Sequence, residues 1–162
     1  MARHDMRRRI LLAASAVLIA IVGAAAAAEA ADWGRYANPR FGTAMDYPRD
    51  RFSAAPMQSG NGDGATFVSG NGAAQLRIWG AHDIADWRFA DFVAAFATSM
   101  PVTWSQEKPD SWVVTGTNGA IIAYSRCKRA GGLLHCFEVS YPASEKSTWD
   151  AAVTRMSRSL GG

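Results

Sequence analysis

The sequence predicts an α+β domain in which an antiparallel sheet with a C-terminal four-strand meander is flanked by two amphipathic helices. Short stretches rich in β-branched and aromatic residues alternate with Gly, Asn and Pro turn signals along most of the chain. Two other segments, near residues 89–100 and 147–160, repeat apolar residues with helical spacing. Because each element has an apolar face to bury, we expect the elements to stack as a layered sandwich.

The first 30 residues are predicted to be a secretory signal peptide. Three arginines at positions 7–9 precede a long apolar run that ends in an A-x-A pattern at positions 28–30, which is typical of a cleavable export signal. An uncleaved membrane anchor is the alternative, because the apolar run approaches transmembrane length. We expect residues 31–162 to form one domain with no stable membrane span after cleavage.

The charge balance of that domain argues against nucleic-acid binding. Residues 31–162 keep 13 of the 17 basic and 12 of the 14 acidic residues, which leaves a net charge of +1. The basic excess of the whole chain therefore belongs largely to the first 30 residues, and the sequence predicts no basic face for a nucleic acid. The expected partner is an unknown protein or a component of the cell envelope.

The first predicted strands lie directly after the signal. A short strand begins at Trp33 and breaks at Asn38-Pro39, and a second strand is predicted over residues 40–47. Residues 54–64 are small, polar and rich in glycine, which predicts a mobile loop.

A hairpin is predicted next, with strands near residues 65–69 and 74–79. The pair Asn71-Gly72 suits a type I′ turn between them, because both residues tolerate a positive φ. The stretch that starts at Ser59 is similar to a calcium loop, but its twelfth position is Gly70, where such a loop needs a bidentate acid. A hairpin is therefore favoured over a calcium site.

Two helices are predicted from apolar residues that recur at spacings of three and four. The first has Asp86 as a plausible N-cap and ends at Pro101, and the second follows a possible cap at Ser147 and stops at the glycines of positions 161–162. We expect both apolar stripes to face the core. The stripes are Phe89, Phe92, Val93 and Phe96 in the first helix, and Trp149, Val153, Met156 and Leu160 in the second.

The region between the helices contains both cysteines that follow the signal. If Gly131-Gly132 is a two-residue turn, Cys127 lies opposite Cys136 in a pair without backbone hydrogen bonds, where side chains approach closely. This register predicts a disulfide between Cys127 and Cys136, which an oxidising compartment would preserve. A two-residue turn at Asn118-Gly119 would likewise place Thr117 opposite Ala120. The four predicted strands lie near residues 102–106, 111–117, 120–128 and 133–141.

The order and pattern of these elements resemble a known family. The stretches YANPRFGTAMDYPRDRF, SWVVTGTNGAIIAYSR and YPASEKSTWDAAVTRMSRSL are similar to small secreted bacterial proteins of the PsbP-like α/β/α sandwich type. The resemblance covers most of residues 33–160 and rests on pattern and element order, not on an invariant catalytic motif. It implies a PsbP-like sandwich and a non-catalytic binding or assembly role, but no functional residue of the photosynthetic members matches a position here.

An enzyme with a cryptic site near Glu138, Ser125 and His135 is one alternative. The register sets Glu138 across from Ser125 on the disulfide face, where a covering helix would perturb its pKa. His135 points away from the face of Cys136, so a Cys-His dyad is not expected. A structural role for Glu138 is preferred, because perturbed carboxyl groups also occur in structural networks.

A metal-binding or redox protein is the other alternative. His82, Asp83 and Asp86 lie close together at a helix entrance, but helix capping and solvation are preferred because no further ligand cluster is present. The cysteines lack C-x-x-C spacing, which disfavours a thioredoxin-like site. We expect no metal and no cofactor.

Tryptophans are the predicted contacts for a partner. Their rings bind ligands when exposed, but they also bury well in small cores. The sequence therefore favours an exported binding or assembly module, periplasmic or secreted, that uses surface tryptophans. Trp112, Trp149 and Trp79 have positions compatible with the core, whereas Trp33, Trp87 and Trp104 are the surface candidates.

Overall fold

Nine strands and two helices follow one another in the computed structural model, which describes residues 32–84 and 88–162. The predicted signal peptide lies outside the described residues. The strands are β1 (Trp33–Ala37), β2 (Ala44–Pro48), β3 (Met57–Gln58), β4 (Gly64–Val68), β5 (Gln75–His82), β6 (Val102–Lys108), β7 (Ser111–Thr117), β8 (Ile121–Ala130) and β9 (Leu133–Pro142), and the helices are α1 (Phe89–Ala97) and α2 (Lys146–Ser159).

Seven of the strands form one antiparallel sheet in the order β3-β4-β5-β9-β8-β7-β6, and β1 and β2 form a separate hairpin. Strands β6 to β9 are the predicted meander, so the predicted fold class is confirmed. The segment 54–64 differs from the mobile loop that its composition predicts, because it contains β3 and a hydrogen-bonded turn. In that turn, the Ser59 hydroxyl accepts a hydrogen bond from the Gly64 backbone N–H at 2.9 Å. The backbone N–H of Ser59 in turn donates to the Gly64 carbonyl.

The register of the β8–β9 hairpin is as predicted. Gly131 and Gly132 both have positive φ, 59° and 76°, which is the requirement of a tight type I′ turn. Cys127 pairs with Cys136, and their Cα atoms lie 4.1 Å apart. The two side chains form the predicted disulfide.

The register of the β7–β8 hairpin differs from the prediction. Thr117 pairs with Ile122, not with Ala120, so the connection is longer than a two-residue turn. The cause is the side chain of Asn118, whose Oδ1 accepts the backbone N–H groups of Ala120 and Ile121 at 3.0 and 2.9 Å. The shift is two residues, and every side chain therefore keeps its predicted face.

The β4–β5 turn has its predicted position but not its predicted type. Gly72 has a φ of 71°, whereas Asn71 has a negative φ, so the turn is not type I′. The Asn71 side chain instead accepts the backbone N–H of Ala73 at 3.0 Å, and Gly72 donates to the Ser69 carbonyl at 2.8 Å. Local hydrogen bonds of its side chain thus hold Asn71 at a negative φ, and the positive φ of this turn occurs at Gly72 alone.

Both predicted helix caps were wrong. The N-cap of α1 is Arg88, whose backbone N–H donates to the Asp91 carboxylate at 3.3 Å, and Asp86 lies outside the described residues. The N-cap of α2 is Glu145, because a short 3-10 turn precedes the helix and moves its start ahead of Ser147. The helices themselves and their buried stripes agree with the prediction, except that α1 ends at Ala97, ahead of the predicted end at Pro101.

The sheet buries side chains on both faces, in two separate clusters. On one face, called here the α2 face, the helix α2 and the β1–β2 hairpin pack on β4, β5 and β9. On the other, the α1 face, helix α1 packs on β7, β8 and β9 around the disulfide. Each helix therefore covers only part of its face, and the uncovered parts lie at opposite ends of the sheet.

One glycine allows the β1–β2 hairpin to approach the sheet. A Cβ atom at Gly80 would lie 2.5 Å from the Thr43 hydroxyl and 2.4 Å from Cβ of Phe41. Thr43 also lies 2.9 Å from Nδ1 of His135, which is buried on the same face. None of the helices in the described part of the chain is long and apolar enough to cross a membrane.

Candidate functional site

The described tryptophans differ in how they are covered. Trp112 and Trp149 are buried in the core as predicted, and Trp79 packs against the core around the disulfide. Trp33 is half-buried against the α2-side core, while Trp104 is 49 % exposed. Trp87 lies outside the described residues.

Arginine side chains lie over most of these rings. Of the tryptophans that the structure describes, Trp104 is the one with no arginine guanidinium over its ring. The other four pairs are Arg155 over Trp33 at 4.2 Å, Arg77 over Trp79 at 4.7 Å, Arg129 over Trp112 at 4.2 Å and Arg51 over Trp149 at 4.4 Å from the ring centroid. Of the two predicted contacts that the structure describes, Trp104 is therefore the more open one, and its ring has no arginine over it.

A cross-strand row explains the exposure of Trp104. In this row Trp104 pairs with Thr115, Thr115 with Tyr124, and Tyr124 with Val139, all on the α2 face. Val139 is fully buried beneath the α2 layer, whereas Tyr124 and Thr115 are half-buried and Trp104 is exposed. Burial thus declines towards the β6 edge because α2 and the β1–β2 hairpin do not extend over β6 and β7.

The uncovered part of the α2 face forms a groove of about 460 Å³ beside α2. Its floor is made by β7 and β8 and its wall by the solvent-facing side of α2. The wall is held in place by the Tyr124 hydroxyl, which lies 2.7 Å from the Ser157 hydroxyl, and it carries an ion pair between Lys146 and Asp150 at 2.8 Å. Residues of the floor and wall include Thr115, Ile122, Tyr124, Asp150, Val153 and Thr154.

A β-bulge lies beside this groove, which is lined by Thr103 of the bulge and by Thr115, the cross-strand partner of Trp104. The register shifts between Val102 and Trp104, and Thr103 donates its hydroxyl to the Thr115 carbonyl at 3.3 Å. Thr103 and Trp104 are thus both opposite Thr115, and bulges of this kind redirect side chains at sheet edges. The result is an exposed aromatic ring whose cross-strand neighbours, Thr115 and Tyr124, carry hydroxyl and aromatic groups.

The residues of the enzyme alternative do not converge. Glu138 lies opposite Ser125 on the α1 face as predicted, while His135 is buried on the α2 face against Thr43. Ser125 donates its hydroxyl to the Phe137 carbonyl at 3.3 Å. Burial raises the pKa of Glu138, and the opposing effects of Arg77 and Ser125 are smaller. Burial also lowers the pKa of His135, but the two groups lie on opposite sides of the sheet.

The residues of the metal and redox alternative have structural contacts. His82 packs edge-on against Phe41, with ring centroids 5.3 Å apart, and Asp83 forms an ion pair with Arg129 at 3.2 Å. Cys127 and Cys136 are almost fully buried. Within residues 32–84 and 88–162 no group of three or more His, Cys, Asp or Glu side chains is arranged to hold a metal ion.

The groove is a feature that the sequence did not predict, although the strand register contained part of the signal. The predicted faces already set Thr115 and Tyr124 side by side, and both are amphipathic residues suited to partial exposure. The missing information was the position of α2, which depends on its contacts with β2, a strand far from it in sequence.

A comparison with solved structures shows the same fold elsewhere. The chain is similar to cyanobacterial PsbP (CyanoP) from Synechocystis sp. PCC 6803, whose solution structure matches with a TM-score of 0.62 and 12 % sequence identity over 81 % of this chain and 92 % of that one. No protein-family model and no curated protein matches the sequence. The chain therefore has a PsbP-like fold, as the sequence resemblance implied, and identity this low shows the fold alone.

Proposed function

We propose that the protein is an exported, non-catalytic binding or assembly module that recruits a protein partner through the α2-side groove and Trp104. The observation that supports this proposal best is the decline of burial along the row from Val139 to Trp104, which ends in an uncovered aromatic ring. Large aromatic side chains beside a rigid surface often provide much of the affinity of an interface. The partner is a polypeptide of the periplasm, the cell envelope or the secreted fraction.

Export is supported by the disulfide and by the predicted signal. Disulfides persist in oxidising compartments and are rare in the cytosol, and the Cys127–Cys136 bridge is buried in the core. A mature N-terminus near residue 31 is expected. Intact-mass measurement of protein recovered from the periplasm or medium tests this, and recovery in the membrane fraction alone, with residues 1–30 attached, contradicts it.

The groove is tested by variants that change it without unfolding the domain. Cross-linking in intact cell envelopes, followed by recovery of the protein, should yield a partner whose amount falls at least tenfold for Trp104→Ala, since such anchors contribute roughly 2 kcal/mol or more. Thr154→Arg should act similarly, because an arginine there fills the groove from the α2 wall. Thr154 is exposed, so its substitution leaves the core intact.

Met57→Ala is the matched control. Met57 is 61 % exposed and pairs with Thr66, whose side chain lies on the α1 face, so its loss removes apolar surface away from the groove. Partner recovery that falls equally for Met57→Ala and Trp104→Ala contradicts the proposed site. Turnover of a substrate that is abolished by Glu138→Gln with an unchanged circular dichroism spectrum would favour the enzyme alternative instead.

A further inference from the structure

The strand β6 is an unusually open sheet edge. All seven of its residues are exposed, and within the described residues it pairs with β7 and with no other strand. The opposite edge of the sheet is β3, which has only two residues. Proteins usually shorten or cover their sheet edges because free backbone groups can pair with another strand, and β6 is the edge of this sheet that remains long.

The disulfide fixes which backbone groups of β6 point outwards. The short Cα distance of Cys127 and Cys136, 4.1 Å, marks a pair without backbone hydrogen bonds, so the backbone of Cys127 faces β7 and bonds with Trp112. Hydrogen-bonded pairs alternate along each ladder. On β7, Val113 therefore faces β6 and bonds with Gln106. It follows that Ser105 and Glu107 turn their N–H and C=O groups outwards.

The bulge limits the regular part of this edge. Pairing with β7 is regular from Trp104 to Lys108 and shifts on the other side of Trp104. A strand that docks on the edge can therefore pair continuously with residues 104–108, and the midpoint of that segment is Gln106.

We infer that this edge pairs with the same edge of a second copy of the chain, in antiparallel register about Gln106. A two-fold axis through Gln106 sets Ser105 opposite Glu107 of the second copy. Ser105 and Glu107 are the residues whose backbone groups point outwards. The N–H and C=O of both residues, four groups in each strand, therefore acquire hydrogen-bond partners. The dimer continues the sheet across both copies.

The side chains of residues 104–108 are complementary to themselves in this register. On the α2 face, Trp104 lies opposite Lys108 of the second copy, which supplies the cation that other tryptophans of the domain receive from arginine. On the α1 face, the Ser105 hydroxyl lies opposite the Glu107 carboxylate. The neighbouring registers bring Glu107 opposite Glu107 or involve Thr103 of the bulge, and both are less favourable.

Cysteine cross-linking tests this register directly. Gln106 meets its own copy on the two-fold axis in a pair without hydrogen bonds, which suits a disulfide. Gln106→Cys should therefore form a covalent dimer under mild oxidation, seen on a non-reducing gel and reversed by reduction. Ser105→Cys is the matched control, because Ser105 lies opposite Glu107 of the second copy. The two introduced cysteine side chains are therefore offset by two residues, and their Cα atoms lie beyond the roughly 7 Å that a disulfide can span. Dimer from Ser105→Cys with none from Gln106→Cys overturns the inference.

Sedimentation of the unlabelled protein provides the second test. The purified protein should sediment as a dimer that dissociates on dilution, whereas Ser105→Pro should weaken dimerisation roughly tenfold to a hundredfold, since symmetry removes two of the four hydrogen bonds. Proline is tolerated at an edge position whose N–H faces solvent, so the β6–β7 pairing should remain, as circular dichroism can check. A protein that stays monomeric at all concentrations, or a dimer that Ser105→Pro leaves unchanged, contradicts the inference. Neither Ser105 nor Gln106 lines the α2-side groove, so these variants test the dimer without altering the groove or Trp104, and their outcome can be told apart from that of the partner experiment.

Discussion

Removing the Cys127–Cys136 bridge should destabilise the domain by a predictable amount. The bridge joins residues nine positions apart, and the chain-entropy relation assigns such a small ring about 2.5–3 kcal/mol of stability at 25 °C. Both sulfur atoms are almost fully buried in the α1-side core, so replacing them with alanine adds a packing loss of about 1 kcal/mol. The double variant Cys127→Ala/Cys136→Ala should thus lose roughly 3–4 kcal/mol.

Urea denaturation followed by circular dichroism measures this loss. With a slope of about 2 kcal/mol per molar urea for a domain of this size, the midpoint should fall by roughly 1.5–2 M. The wild-type protein in a reductant is the matched control, because it keeps both sulfur atoms and loses only the ring. Its urea midpoint should therefore lie between the midpoints of the oxidised protein and the double variant. Coincident transitions for the oxidised and fully reduced protein, with free thiols verified by mass, would refute the reasoning.

Three further predictions concern the packing and the buried titratable groups. Gly80→Ala should cost about 1–3 kcal/mol, because its Cβ would lie 2.5 Å from the Thr43 hydroxyl, whereas Gly70→Ala, at a site with open space, should cost far less in the same urea assay. Burial lowers the pKa of His135 below its usual 6.5, so the unfolded chain takes up a proton first and stability should fall as the pH drops below 6.5. This acid sensitivity should weaken in His135→Gln. Burial raises the pKa of Glu138 above its usual 4.5, so Glu138→Gln should gain stability relative to wild type as the pH rises from 4.5 to 7, and lose that gain below 4.5.

The parts of the fold that the sequence could predict depend on local chemistry. The pair Gly131-Gly132 specifies its turn because both residues need a positive φ, and the β8–β9 register and the disulfide follow from that turn alone. The same rule gave the wrong register at Asn118-Gly119, because the Asn118 side chain accepts two backbone N–H groups and lengthens the turn. The faces of the strands were nevertheless correct, because they depend only on whether a shift is odd or even.

The parts that could not be predicted depend on contacts between distant segments. Trp33 has the sequence context of a surface residue, yet Arg155 of α2 covers its ring and the ring packs on the α2-side core. Trp104 has a similar context and remains exposed. The difference is the reach of α2 over the sheet, which no local pattern of β1 or β6 contains.

Folding alone does not account for a tryptophan at position 104. Along this row the core of the α2 face ends with Val139 and the half-buried Tyr124, and Trp104 at the far end is not part of it. An exposed apolar ring on an open edge also raises the risk of aggregation, and the bulge at Thr103 confines regular pairing to one side of Trp104. A threonine would serve the strand equally well without that risk. The ring therefore requires an explanation in binding, and the groove and the self-complementary edge are the two neighbouring surfaces that it can serve, one on its α2 side and one beyond β6.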